Sequence, residues 1–253
     1  MGLTIIKPQN QGRGEFDGGK LWEQKPIGFS GEGSVVNRLG PLFYWAWAQS
    51  TGEAGIGLHP HQGFEIINYV IKGRGRHKDT LGTDSIVDTG GVQVMQAGSG
   101  ISHAESILEP YEGFQIWLEP NLKEATKRPP TYRKYVHEDF PNVSENGVTV
   151  KTILGEHSPI QIVTDAQIYD VHMEKGAAYT HVLAPHRTFA ALAIRGNGSV
   201  LTEREVSFDH KDFVIMESEK EETLALQSTG EELRMLLIEI PTEVDYLLYR
   251  KSH

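Results

Sequence analysis

The 253-residue sequence contains no cysteine. That excludes disulfides, thiolate metal sites and cysteine nucleophiles, and leaves imidazole and carboxylate as the strong ligands on offer. Positive charge is also scarce: 24 Lys and Arg stand against 34 Asp and Glu, a net charge of -10. No broad basic footprint for nucleic acid or for an anionic membrane surface follows from such a balance. Long apolar runs are missing as well. No stretch approaches the roughly 18 apolar residues of a membrane span, and residues 1–25 carry no apolar run of signal-peptide length. Met1-Gly2 opens like a myristoylation signal, but Ile6 stands where Ser or Thr is needed. The expectation is a cytoplasmic protein with no membrane and no direct nucleic-acid partner.

What the chain does have is 27 Gly, 12 Pro and short apolar or alternating runs between them. In the first half these are Leu42–Gln49, Glu65–Ile71, Ser85–Val87, Val92–Ala97 and Gly113–Leu118. Runs of this length and spacing, without helical periodicity between them, predict antiparallel β structure. Residues 119–134 interrupt the rhythm with Pro120, Pro129 and Pro130 and five basic residues, and read as a connector. Strand-like runs then resume at Val148–Leu154, Ile160–Val163, Ala166–Met173, Phe189–Ile194, Phe213–Met216, Thr223–Gln227 and Leu233–Ile240. Two β domains, 1–130 and 131–253, are the simplest account. A weak internal repeat agrees: Ile66–Gly73 and Ala190–Gly196 are both apolar strands closed by a basic residue and glycine, each followed by a second apolar run. From Pro241, acids in the first turn and Arg250-Lys251 in the last predict a short C-terminal helix.

Without cysteine, the eleven histidines carry the chemistry. His59 and His61 are two apart, as are His103 and Glu105, and residues two apart in a strand share a face. Facing strands would bring three imidazoles and a carboxylate together, a set suited to a divalent transition metal. Glycines 98 and 100 allow the chain to turn tightly just before the second pair. Glu65 is a rival carboxylate four residues beyond His61, and reaches the same point only if the chain bends at Gln62-Gly63. His77 has no partner at ligand spacing, which leaves it a surface position or a hydrogen bond behind the ligands. The remaining seven, His137, His157, His172, His181, His186, His210 and His253, lack His-x-His spacing, so the second domain is expected to be metal-free. Phe64, Met95, Ile101 and Trp117 could wall the pocket or be ordinary core.

The segment HPHQGFEIINYVIKGRGRHKDTLG from His59, followed by GVQVMQAGSGISHAE up to Glu105, closely resembles the signature of the pirin family. These are bicupin proteins of the cupin superfamily. The likeness weakens through Gly113–Pro120 and is faint over the second half. Gly91 departs from the family's usual Asp, and Thr80 from a common Ser. The resemblance implies two tandem cupin (jelly-roll) β-barrels, the first holding one metal on His59, His61, His103 and Glu105, and it favours Glu105 over Glu65. The family's metal is usually Fe(II), with Mn, Ni, Cu, Co or Zn as alternatives. Several members open quercetin with O2, so the resemblance implies a dioxygenase acting on a flavonol-like aromatic substrate. Three neutral imidazoles and one carboxylate leave a doubly charged ion with about one net positive charge, which favours an incoming oxyanion. Glu105, or Glu65, would then take the hydroxyl proton. Eukaryotic pirins are also described as metal-dependent transcription co-regulators, so the alternative is a regulatory protein without turnover, acting through a protein partner.

Overall fold

The computed structural model describes residues 2–251 and resolves them into two compact β units. His253 lies outside the described residues. One unit comprises Gln11–Asp139, Ile162–Thr164 and the segment from Asp245; the other comprises the segment up to Asn10, Phe140–Gln161 and Asp165–Val244. They are therefore not the contiguous halves expected on either side of residue 130. Strand Leu3–Ile6 pairs with Phe213–Glu217, which assigns the start of the chain to the second unit. Strand Thr131–Tyr135 pairs with Val92–Gln96, which carries the first unit past the proline-rich connector.

The first unit contains two antiparallel sheets. The larger has seven strands in the order Thr131–Tyr135, Val92–Gln96, Glu65–Lys72, Tyr111–Leu118, Leu42–Ser50, Leu21–Ile27 and Gly12–Phe16. The smaller has four: Ala54–His61, Ile101–Ile107, Arg74–Asp79 and Asp84–Asp88. Their inner faces meet, since Leu21 and Ala48 of the larger sheet cluster with Ala54 and Ile107 of the smaller one. In the second unit nine strands form one sheet, in which Arg187–Leu201 lies between Phe213–Glu217 and the twenty-residue strand Glu222–Pro241. The internal repeat is thus topological. Glu65–Lys72 and Arg187–Leu201 are both interior strands, and each pairs with the next apolar run, Val92–Gln96 or Phe213–Glu217.

Among the described residues helix is confined to Leu122–Ala125 and three 3-10 turns. No helix among the described residues is long and apolar enough to cross a membrane. The C-terminal helix expected from Pro241 does not form. Pro241 still pairs with Arg187 as the end of a strand, and the chain beyond it runs as bends and coil. A helix that short is marginal on its own. Here the backbone spends its hydrogen bonds elsewhere: the Tyr249 N–H donates to Glu119.

Candidate metal centre

His59 and His61 lie on the outermost strand of the four-stranded sheet, where Pro60 between them removes no N–H that an inner ladder would need. His103 is directly opposite His59, and Ile101 opposite His61. The turn into the His103 strand depends on Gly98, at φ +50; a Cβ there would come within 2.5 Å of the Arg128 carbonyl oxygen. Beyond His103 the register slips, so that Glu105 faces Ile56 and the stretch at Gly57-Leu58 bulges. Bulges re-aim side chains. Here the His59 ring turns back so that Nδ1 lies 2.7 Å from the Gly57 carbonyl oxygen.

The three imidazoles converge. Their ring centroids are 4.4 to 4.8 Å apart, and one nitrogen from each lies within 4.8 Å of the others. The Nε2 atoms of His61 and His103 are 2.9 Å apart. Two nitrogens at right angles on one ion, with bonds of about 2.1 Å, would be separated by about 3.0 Å, so this spacing fits adjacent ligand positions.

Tautomers support the same fit. A carbonyl oxygen only accepts, so His59 carries its proton on Nδ1 and leaves Nε2 as a lone pair. His103 Nδ1 meets His77 Nδ1 at 3.2 Å, and His77 Nε2 meets Asp79 Oδ2 at 2.8 Å. Asp79 accepts from His77 Nε2–H, His77 accepts at Nδ1 from His103 Nδ1–H, and His103 Nε2 is left as a lone pair facing its neighbours. Burial, with His59 adding repulsion, pulls His61 down to about 4. His103 falls to about 2 through burial and the adjacent histidines 59, 61 and 77. Both are therefore neutral, as metal ligands must be, at any physiological pH.

The two candidate carboxylates have different surroundings. Glu65 is committed elsewhere: it accepts from Gln96 Nε2, the Val163 and Thr164 N–H groups and the Thr164 hydroxyl, at 2.7 to 2.9 Å, and is 2% exposed. Glu105 does not join the three nitrogens in the described cluster. Its carboxylate lies between the sheets, accepting from Asn68, from Gln115 Nε2 at 3.1 Å and from Gln93 Nε2 at 3.5 Å. Burial raises its pKa, opposed by the imidazoles of His59 and His77 and by the amides of Asn68 and Gln115.

Of the expected wall residues, Trp117 touches a histidine of the cluster: its ring stands at 87° to His61 with centroids 4.8 Å apart. Phe64 packs on Trp117 at 5.6 Å. Met95 and Ile101 are fully buried with Ile66 and Ala97, and are core. His77 is not a surface residue, being 0% exposed and stacked on Tyr132 at 4.3 Å. The His77–Asp79 pair escaped the reading of the sequence, although its spacing of two on a strand was a usable signal. The amides that hold Glu105 come from three separate strands and had none.

A family model described as Pirin matches residues 36–118. Pirin-1 of Arabidopsis thaliana is 32% identical over 82% of this chain and 77% of its own length. Across the first curated relatives matched, the chain spans between 47% and 77% of their length. Among solved structures, a bacterial pirin from Escherichia coli in complex with nickel(II) aligns with a TM-score of 0.78 at 22% identity, over 96% of this chain and 100% of that one. A quercetin 2,3-dioxygenase from Acinetobacter baumannii aligns with a TM-score of 0.78 at 21% identity, over 99% and 90%. The fold is that of a bicupin.

Proposed function

Since the chain belongs to the pirin family, we propose that it is a metal-dependent dioxygenase that opens a flavonol such as quercetin with O2. The observation that carries this reading is the convergence of three imidazoles, two of them with tautomers fixed by hydrogen bonds, beside an aromatic wall. His59, His61 and His103 would hold one divalent ion, iron by preference, with Glu105 as fourth ligand. When bound, such an ion supplies Lewis-acid attraction for a substrate oxyanion and a site for dioxygen chemistry.

The protein's own groups account for the rest. Trp117 and Phe64 offer apolar faces beside His61 on which a planar aromatic ring can rest. Glu105, its pKa raised by burial, is a better proton acceptor than an exposed carboxylate, and we assign it the hydroxyl proton of the substrate. Asn68, Gln93 and Gln115 hold that carboxylate from the opposite sheet. The acidic balance argues against direct contact with nucleic acid, and we place the protein in the cytoplasm.

The test is metal analysis of anaerobically purified protein, then oxygen consumption with quercetin after loading with Fe(II), Mn(II), Ni(II), Cu(II), Co(II) or Zn(II). Substrate-dependent oxygen uptake that disappears in His103→Ala is expected. Tight metal binding with no uptake on any flavonol would reject the dioxygenase and favour a regulator that binds a protein partner in its metal-loaded form.

A further inference from the structure

Residues 245–251 lie against Phe43, a neighbour of the Trp117 ring that touches His61, and three sets of polar contacts hold them there. Glu119, 0% exposed, accepts the Tyr249 N–H at 2.5 Å and Arg38 Nη2 at 2.8 Å. Arg38 Nη2 also donates to the Tyr249 carbonyl at 2.9 Å, and the Tyr246 hydroxyl donates to the Glu119 carbonyl at 2.7 Å. The third set belongs to Lys251. Its Nζ donates to the carbonyls of Gly28 at 2.9 Å, Asn37 at 2.5 Å and Phe43.

An ammonium has three N–H donors, and this one meets three carbonyls from separate points of the chain. It also stands 4.2 Å from the centre of the Phe43 ring. Phe43 packs on Phe64 at 4.6 Å and lies nearly parallel to Trp117 at 6.2 Å, and Trp117 abuts His61. A continuous run of contacts therefore leads from Lys251 to a metal-site histidine.

We propose that Lys251 is a positioning residue: it latches the 245–251 segment over Phe43 and so fixes the Phe43–Phe64–Trp117 wall against which the substrate ring rests. The wall's role rests on the aromatic-substrate reading given above, whereas the latch itself does not. Met has the length of the lysine stem without the donors, and would leave three carbonyls unmatched. Arg keeps the charge, but its planar fork does not match three acceptors arranged around one nitrogen.

The experiment compares wild type, Lys251→Met and Lys251→Arg as full chains, with 5-fluorotryptophan at the four Trp positions. The Trp117 resonance is assigned by its loss in Trp117→Phe. In Lys251→Met the Trp117 resonance is expected to shift or split while those of Trp22, Trp45 and Trp47 hold, with Lys251→Arg between the two. Nickel(II) stoichiometry should not change, and KM for quercetin should rise about tenfold with a smaller change in kcat. A Trp117 resonance unmoved in Lys251→Met overturns the proposal whatever the kinetics. If no form turns over a flavonol, the activity reading fails and the fluorine spectrum still decides the latch.

Discussion

The two units fill their interiors differently. In the second, sixteen buried apolar residues, from Val148 to Leu237, form one continuous cluster. Its strand Ala178–Leu183, which precedes the interior strand as Ala54–His61 does in the first unit, contributes His181. That imidazole is tied to Glu239 at 2.8 Å, and Arg187 closes on the same carboxylate at 2.8 Å. In the first unit, clusters of four buried apolar residues or fewer stand beside the metal-site strands, and the larger sheet buries a further apolar set that alternates with them in sequence, among it Trp45, Trp47, Ile67, Val94, Phe114 and Ile116. Between and around them stand the imidazoles, the amide-held Glu105 and a buried Lys25 paired with Glu32 at 2.6 Å. Burying polar groups costs free energy unless each is matched, so in the first unit matched polar side chains take interior space that apolar ones fill in the second.

The largest expected effect is on stability, in the continuous cluster of the second unit. Phe189→Ala, at a fully buried position in its cluster, is expected to cost about 3–5 kcal/mol in denaturant unfolding. Metal bound per folded molecule should stay the same. Loss of metal in this variant would mean that the two units are not separate in their roles.

The next largest effect separates the units by ligand. With free nickel(II) or zinc(II) at a hundred times its dissociation constant, the protein should gain about 2.7 kcal/mol in unfolding free energy. EDTA and His103→Ala should each abolish that gain. His181→Ala should retain it, because its Nε2 is engaged by Glu239. A gain lost in His181→Ala would put a metal in the second unit and remove the contrast.

Acid sharpens the comparison further. His61 and His103, held at about 4 and about 2, are neutral in the fold but protonate near 6.5 once unfolded. The unfolded state therefore binds more protons as pH falls below 6.5, and the metal-free fold loses stability over that range. At pH 5 the loss is at most about 2 kcal/mol for His103, and less for the more exposed His61. Unfolding of the metal-free protein followed from pH 7 to pH 5 should show a slope that flattens in His103→Gln. Glu239 works at lower pH. Its pKa, held down by His181 and Arg187 against the opposing effect of burial, adds stability above the usual carboxylate range that is lost as pH falls through the depressed value.

How far the sequence carried these conclusions differs between backbone and site. Alternation of apolar residues located Val148–Leu154 to the residue, because a half-buried antiparallel strand writes its own period. It did not show that Thr223–Gln227 and Leu233–Ile240 are one strand, since the polar stretch between them reads as a break while its backbone remains extended. His59 and His61 were legible because residues two apart on a strand share a face, and His103 joins them from the neighbouring strand of the same sheet. The hold on Glu65 was not: two of its donors are backbone N–H groups nearly a hundred residues away, and backbone donors have no signature in side-chain pattern.

The smallest expected effect comes from the most conservative change. In Asp79, Oδ1 accepts from the N–H groups of Leu81 at 2.9 Å and Thr83 at 3.0 Å, while Oδ2 faces His77. Asp79→Asn keeps the shape, and the two backbone donors keep the amide oxygen at the Oδ1 position. The new NH2 group then points at His77 Nε2, which must accept. His77 must in turn carry its proton on Nδ1 and donate to His103 Nδ1, which forces the His103 proton onto Nε2. That nitrogen faces His61 across 2.9 Å and is the one a metal needs unprotonated. Metal affinity should fall about tenfold by calorimetric titration, with stability of the metal-free protein little changed. Asp79→Glu reinstates a carboxylate on a longer stem and should recover part of the loss. Equal affinity in wild type and Asp79→Asn would show that the relay does not set the tautomer, and that the first unit's polar interior is organised by the three imidazoles alone.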